Sequence, residues 1–255
     1  MARSALITGA AGGIGRAVAA RFVADGYRVV GVDLADPGLP GVTYARADVT
    51  DADQVAHAVR AATGGGESAL DVLVTCAGVT EGKPLHRTTE QEWEGVLRAN
   101  LGSVFLCVRE VLPGMIGAGS GAVVMVGSVL HRTAAPGLPA YAAAKGAIAA
   151  LTRQLAVDYG QHGISFVTVS PGWVRTPATE SRLDGEADLD RLRQSNPLRL
   201  LGTPEHIAGT VAFAASAEAA LLNGSELVLD AGASVVSPAS LLRDAHRAGM
   251  GLPRL

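Results

Sequence analysis

From about residue 4 to residue 230, short apolar runs alternate with longer helical patterns, and no other feature of the chain restricts its fold so strongly. Strands are expected at Ser4–Thr8, Arg28–Val32, Val42–Ala47, Leu70–Thr75, Ala122–Gly127, Ser165–Ser170 and Glu226–Leu229. Helical patterns fall between them near Ile14–Asp25, Ala52–Ala62, Thr89–Met115, Ala140–Tyr159 and Pro204–Ala215. Each is long enough to carry the chain back across a sheet. Seven strands alternating with helices predict a single α/β domain with a doubly wound, seven-stranded parallel sheet flanked by helices. Strands in such a sheet are buried on both faces. A composition that is 48% hydrophobic, with 32 glycines and only four phenylalanines, suits small aliphatic strands under alanine-rich helices.

In an open sheet of this kind ligands bind beyond the carboxyl ends of the strands, at the point where the strand order reverses. Residues that follow strands are therefore the first candidates for a site. Two segments break the alternation. Residues 176–197 are polar and acid-rich, bounded by Pro177 and Pro197, and are expected to form a mobile substrate lid over a domain spanning residues 1–236. Residues 237–255 carry prolines, arginines and glycines without a strand pattern and read as a C-terminal extension.

The formal net charge of −3 provides no broad basic field, which argues against nucleic acid or an anionic membrane as partner and favours a small molecule. Cys76 and Cys107 have no metal-ligand spacing and read as reduced thiols. No clustering of His, Asp or Glu suggests a metal either. The N-terminal residues run straight into a glycine-rich loop without the apolar core of a secretory signal, and no long apolar run reads as a membrane span. A soluble, cytoplasmic protein is the expectation.

That loop is the first specific signal. After the first strand, Gly9, Gly13, Ile14 and Gly15 give Thr-Gly-x-x-x-Gly-Ile-Gly and open a helix. Glycines there let the backbone approach a pyrophosphate, and the helix N-terminus supplies unpaired N–H groups and partial positive charge. A glycine-rich turn alone is weak evidence, because it can be only a tight strand-to-helix connection, and its position after the first strand favours the cofactor. Asp33 ends the second strand, eighteen residues after Gly15, where a carboxylate can accept hydrogen bonds from the adenosine ribose. A 2′-phosphate would be repelled by it, and no Lys or Arg lies beside it to compensate, so NAD is expected over NADP. Asp48 and Val49 follow the third strand, within reach of an adenine.

The second signal lies near the middle of the chain. Tyr141 and Lys145 stand one helical turn apart, so an ammonium next to the phenol can stabilise the phenolate and make the tyrosine a usable acid or base. Ser128 follows a strand and can donate to a substrate oxygen. By themselves, Tyr141 and Lys145 are equally a surface pair.

Taken together and in this order, the motifs resemble the short-chain dehydrogenase/reductase family over roughly residues 4–235. They are TGAAGGIG at residues 8–15, Asp33, Asp48-Val49, CAG at 76–78, Asn100, Ser128, YAAAK at 141–145 and PGWVRT at 171–176. Ser128 precedes Tyr141 by thirteen residues, the family's customary interval. The resemblance implies a Rossmann-type fold and a nicotinamide cofactor. It implies Tyr141 as general acid/base, Ser128 as donor to the carbonyl, Lys145 on the nicotinamide ribose, and Asn100 as anchor of a proton-relay water. It assigns Ala77, Gly78, Pro171, Gly172, Val174 and Thr176 to the cofactor, and implies a homotetramer. Where the family often has Asn-Ala-Gly, this chain has Cys76-Ala77-Gly78.

Leu130, Leu138 and Trp173 are expected at the mouth of the substrate pocket, with His131 either facing the substrate or standing on a partly exposed loop. The favoured reading is an NAD(H)-dependent interconversion of a secondary alcohol and a ketone. A reductase of 3-oxoacyl thioesters or polyketides shares the same four catalytic residues, and a cofactor-binding protein without turnover is the third alternative. Substrate identity would reside in the loops at residues 80–87, 129–138 and 177–197.

Overall fold

A computed structural model describes residues 2–36, 38–65, 68–237 and 244–252. Seven parallel strands form one sheet: β1 (Ser4–Thr8), β2 (Arg28–Asp33), β3 (Val42–Arg46), β4 (Val72–Thr75), β5 (Gly121–Val126), β6 (Ile164–Pro171) and β7 (Glu226–Leu229), in the order β3-β2-β1-β4-β5-β6-β7. The order reverses beside β1. That reversal opens a crevice at the carboxyl ends of β1 and β4, the expected position of a ligand.

Alternation along the strands assigns each face its own core. Leu6, Leu73, Val123, Met125 and Phe166 point to one side, where α2 (Ala52–Ala62), α4 (Ser103–Ala118) and α5 (Pro139–Tyr159) cover them. Ala5, Ile7, Val72, Val74, Val124 and Val167 point to the other, beneath α1 (Gly13–Ala24) and α8 (Pro204–Ala214). Period-two burial on two faces makes the strands apolar throughout, hence the near-continuous hydrophobic runs in the sequence.

The expected helix at Thr89–Met115 is two helices. Helix α3 (Glu90–Leu97) begins at Thr89, whose side chain accepts the Glu92 N–H while Glu92 reaches back to Thr89, a capping box. A π-helical turn at Arg98–Gly102 then separates α3 from α4. Such turns insert an extra residue into the ladder and occur mostly at functional sites. The combined stretch 90–118 is long and apolar enough to cross a membrane by length and composition, but Cys107, Val108, Val111 and Met115 within it are packed into the core.

Within residues 176–197 the chain forms α6 (Pro177–Glu180) and α7 (Glu186–Gln194). Its far end is fixed by buried Asn196, whose amide donates to the carbonyls of Leu192 and Leu200 and accepts from Leu200 N–H. In the C-terminal extension, α9 spans Asp244–Gly249, and residues 238–243 and 253–255 lie outside the described residues.

Candidate active site

The glycine loop is shaped by contacts that leave no room for side chains. Gly9 has a φ of +67°, and a Cβ there would sit 2.7 Å from Ala77 N. A Cβ on Gly15 would lie 2.1 Å from the Gly9 carbonyl oxygen, and one on Gly13 would lie 2.7 Å from Thr176 Cγ2. Only glycine fits all three positions. Gly12 precedes α1 without any side-chain cap, so the first N–H groups of the helix remain for a ligand. The loop is held to its neighbours by Asp33, whose Oδ2 accepts Ala11 N–H at 2.9 Å while Oδ1 accepts Leu34 N–H at 2.7 Å.

Two cavities flank this loop and share Gly9, Gly12, Cys76 and Gly78 in their walls. The first, about 260 Å³, is lined by Asp33, Asp48, Val49, Ala77 and Gly78 at the ends of β2, β3 and β4. Asp48 is preorganised there, its Oδ1 accepting from both the N–H and the hydroxyl of Thr50 at 2.8 Å. The second, about 460 Å³, is lined by Gly13, Ile14, Gly15, Asn100, Ser128, Leu130, Leu138, Tyr141, Lys145, Pro171, Gly172, Trp173, Val174 and Thr176. All the residues expected at the site therefore converge here except one.

The exception is His131, which does not line either cavity. Its Nδ1 is hydrogen-bonded to the Ser128 carbonyl, and its Nε2 lies 3.2 Å from Glu226 Oε1 on β7. The ring is thereby turned behind Ser128, away from a substrate. Burial works against ionisation of Glu226, but the neighbouring Ser170, Arg132 and His131 outweigh it and hold the carboxyl below its ordinary range.

Ser128 is buried and extended, and its Oγ accepts Leu130 N–H at 3.2 Å, which starts a short 3₁₀ turn at Val129–His131. Its own hydroxyl proton remains for a ligand. Tyr141 and Lys145 project from the first two turns of α5, and Lys145 Nζ stands 5.5 Å from the centre of the Tyr141 ring. Nζ also donates to the Val126 carbonyl at 2.9 Å. Burial lowers the Lys145 ammonium to about 8, opposed by Cys76 nearby. Burial likewise raises the Cys76 thiol to about 12, which keeps it protonated near neutral pH.

Asn100 sits inside the π turn with its side chain fully buried. Its Nδ2 donates to the carbonyls of Val79 at 2.9 Å and Val96 at 3.0 Å, so the extra residue of the turn allows the amide to bridge α3 and the loop after β4. Both donors are used, and Oδ1 is left buried without a partner. A Cβ on Gly78 would lie 2.4 Å from this oxygen and 4.0 Å from Lys145 Nζ, so both polar groups border the same small space. A buried acceptor of this kind calls for a water or ligand.

On the far wall, Val174 pairs with Gly202, and the Val174 carbonyl accepts the Thr179 hydroxyl at 2.6 Å. Thr176 caps α6, its Oγ1 accepting Thr179 N–H at 3.2 Å. The sequence reasoning missed Thr80, Arg182 and Leu183, which also line the larger cavity, and the π turn that aims Asn100. Arg182 carried no local signal beyond its position in a specificity loop. Among the described residues no group of three His, Cys, Asp or Glu side chains is arranged to hold a metal, and both cysteines are free.

A family model described as enoyl-(acyl carrier protein) reductase matches residues 9–234. A solved oxidoreductase of the short chain dehydrogenase/reductase family from Burkholderia thailandensis superposes with a TM-score of 0.85 at 34% identity, covering 99% of each chain. The chain belongs to the short-chain dehydrogenase/reductase family. It is similar, at 39% identity over 90% of its own length and 98% of the relative's, to 2-(R)-hydroxypropyl-CoM dehydrogenase of Xanthobacter autotrophicus. It is also 38% identical to cis-4-hydroxycyclohexanecarboxylate dehydrogenase of Sinomonas cyclohexanicum, over 92% of this chain and 97% of that one. This family member is thus an oxidoreductase, and its family uses nicotinamide cofactors.

Proposed function

We propose that the protein interconverts a secondary alcohol and a ketone with NAD(H), using Tyr141 as general acid/base. The observation that carries the reading is the cluster of half-buried Tyr141 with buried Lys145, Ser128 and the unpartnered Asn100 oxygen around one cavity. The glycine cradle and the uncapped start of α1 fit a dinucleotide pyrophosphate, and Gly78, Lys145 and Asn100 fit its nicotinamide end. When bound there, a nicotinamide cofactor would supply the hydride acceptor for the carbinol carbon in oxidation and the hydride donor for the carbonyl carbon in reduction.

The chain's own residues then manage the oxygen. In oxidation, the Tyr141 phenolate accepts the hydroxyl proton as the C–H pair leaves, and the carbon–oxygen bond becomes double. The Ser128 hydroxyl donates to the same oxygen and fixes its place. The Lys145 ammonium, beside the phenol, favours negative charge on the Tyr141 oxygen. The proton leaves through Lys145 and a water held by Asn100 Oδ1.

NAD is preferred in this reading because Asp33 faces the smaller cavity, where it would accept from ribose hydroxyls and repel a 2′-phosphate. Residues 176–197 serve as the cover, since Thr176, Ala178, Thr179, Arg182 and Leu183 line the larger cavity. The enzyme works as a homotetramer, a state supported by exposed apolar side chains on two sides of the molecule. Phe105, Ile116 and Val157 are uncovered on α4 and α5, and Phe213, Leu221 and Val228 near β7. Both named relatives act, by name, on hydroxylated small molecules.

Incubation with NAD or NADP and a panel of secondary alcohols, read by formation of reduced nicotinamide, tests the proposal. Turnover with NAD and at least tenfold lower kcat/KM with NADP, a gap of about 1.4 kcal/mol, is expected. Equal use of the two cofactors would overturn the NAD assignment.

A further inference from the structure

We infer that Arg182 is the anion-binding end of the substrate site, so that the alcohol carries a carboxylate or comparable oxyanion across a short apolar spacer. This rests on the reading of the larger cavity as the place of alcohol oxidation. Among the described residues, Lys145 and Arg182 are the charged ones lining that cavity, and no Asp or Glu lines it. Lys145 is committed to the reacting end, through Val126 and its position beside Tyr141. Arg182 is therefore the cation left for the rest of the substrate.

The arginines around it behave differently. Arg175 pairs with Glu180, Arg191 with Asp188, and Arg193 with Glu186 and Asp190. Among the described residues Arg182 makes no ion pair, although its segment is rich in acids, and its Nη2 donates to the Thr80 carbonyl at 2.8 Å. That bond spans 102 residues and ties the end of α6 to the loop after β4, across the cavity mouth. A guanidinium has five N–H donors in a planar fork that matches a carboxylate, and one bond to a carbonyl leaves most of them for a ligand. Leu130, Leu138, Trp173 and Leu183 line the same cavity and provide an apolar lining for a hydrocarbon spacer. A neutral substrate would gain at most an ordinary hydrogen bond from the guanidinium. An anionic one would exchange part of its hydration for a charge-assisted, bidentate bond at the exposed mouth of the cavity.

The test uses secondary alcohols bearing a carboxylate two to five carbons from the carbinol, each paired with its carboxamide. Turnover with NAD is measured for the full-length wild type, Arg182→Gln and Arg182→Lys. In parallel, thermal shift of the NADH-loaded proteins reads binding of the same acids and amides. The wild type is expected to prefer at least one acid over its amide by tenfold or more in kcat/KM, mainly through KM. Arg182→Gln should bring that ratio to near one, and Arg182→Lys should restore part of it. A loosened strap to Thr80 would lower acid and amide alike, so the ratio separates anion binding from a structural role. Equal use of acid and amide by the wild type, or a preference that survives Arg182→Gln, would overturn the inference. Acid binding that depends on Arg182 without any turnover would keep the anion site and overturn the proposed reaction instead.

Discussion

The two halves of the site are built from different material. The cofactor half is made of strand ends and closely packed glycines: Gly15 against the Gly9 backbone, Gly9 against the Ala77 backbone, and Gly78 against the Asn100 side chain. The substrate half is made of a short helix, a cap at Thr176 and a series of exposed ion pairs around residues 175–193. Close backbone packing has one solution, so the first half is fixed before any ligand arrives. Exposed pairs are worth little each, so the second half can be rebuilt for another substrate at small cost to the fold.

If that contrast is right, changes in the cofactor half should be felt most. Lys145 illustrates the cost of preorganisation. Its ammonium normally holds its proton up to 10.5, but in the folded protein only to about 8, because it is buried. Between these values the unfolded chain binds more protons than the folded one, so stability rises with pH. Below about pH 8 the full penalty is present, on the order of 3 kcal/mol. Lys145→Met removes that dependence, though it also strands the Val126 carbonyl. Urea unfolding of cofactor-free protein should show the wild type gaining on the variant from pH 8 to 10.5, while the variant loses turnover. Parallel pH curves would place the charge in a solvated site.

Next in size is Gly15→Ala. Its Cβ meets a backbone oxygen that cannot swing aside, so the loop must shift, costing about 1–3 kcal/mol of stability and most of the affinity for NADH. Calorimetric titration with NADH checks it, and unchanged affinity would mean the loop is not a tight cradle. Asp33→Ala comes third. The preference for NAD over NADP should shrink by about tenfold, with NAD weakened more, in fluorescence titration. Arg193→Ala, on the other side of the comparison, should change stability little and leave NADH affinity intact. A larger loss would show that the surface pairs also organise the cofactor half.

The same contrast explains what the sequence made legible. Seven strands, the glycine loop and the Tyr141–Lys145 spacing are local patterns with periods of two or four residues or fixed turns, and these can be read along a chain. Asn100 was recognisable as a motif residue, but the π turn that aims it was not, because one extra residue in a helix leaves the apolar pattern nearly intact. His131 follows Ser128 closely, so the sequence allows it to face the substrate, with a partly exposed loop position the favoured alternative. Glu226, which turns it away, is 95 residues further on and adjacent only through strand β7. Arg182 stands out only once its neighbours are seen to be paired.

The central claim is that Tyr141 moves the proton while Lys145, Ser128 and Asn100 prepare it. Tyr141→Phe removes one hydroxyl and leaves the glycine cradle untouched. Single-turnover oxidation of a verified substrate by NAD, measured alongside NADH binding, is the direct test. The account predicts a rate lower by about 10²–10⁴ with NADH affinity preserved, the scale of a positioned proton transfer. A Tyr141→Phe enzyme that oxidises the substrate at near the wild-type rate would contradict it.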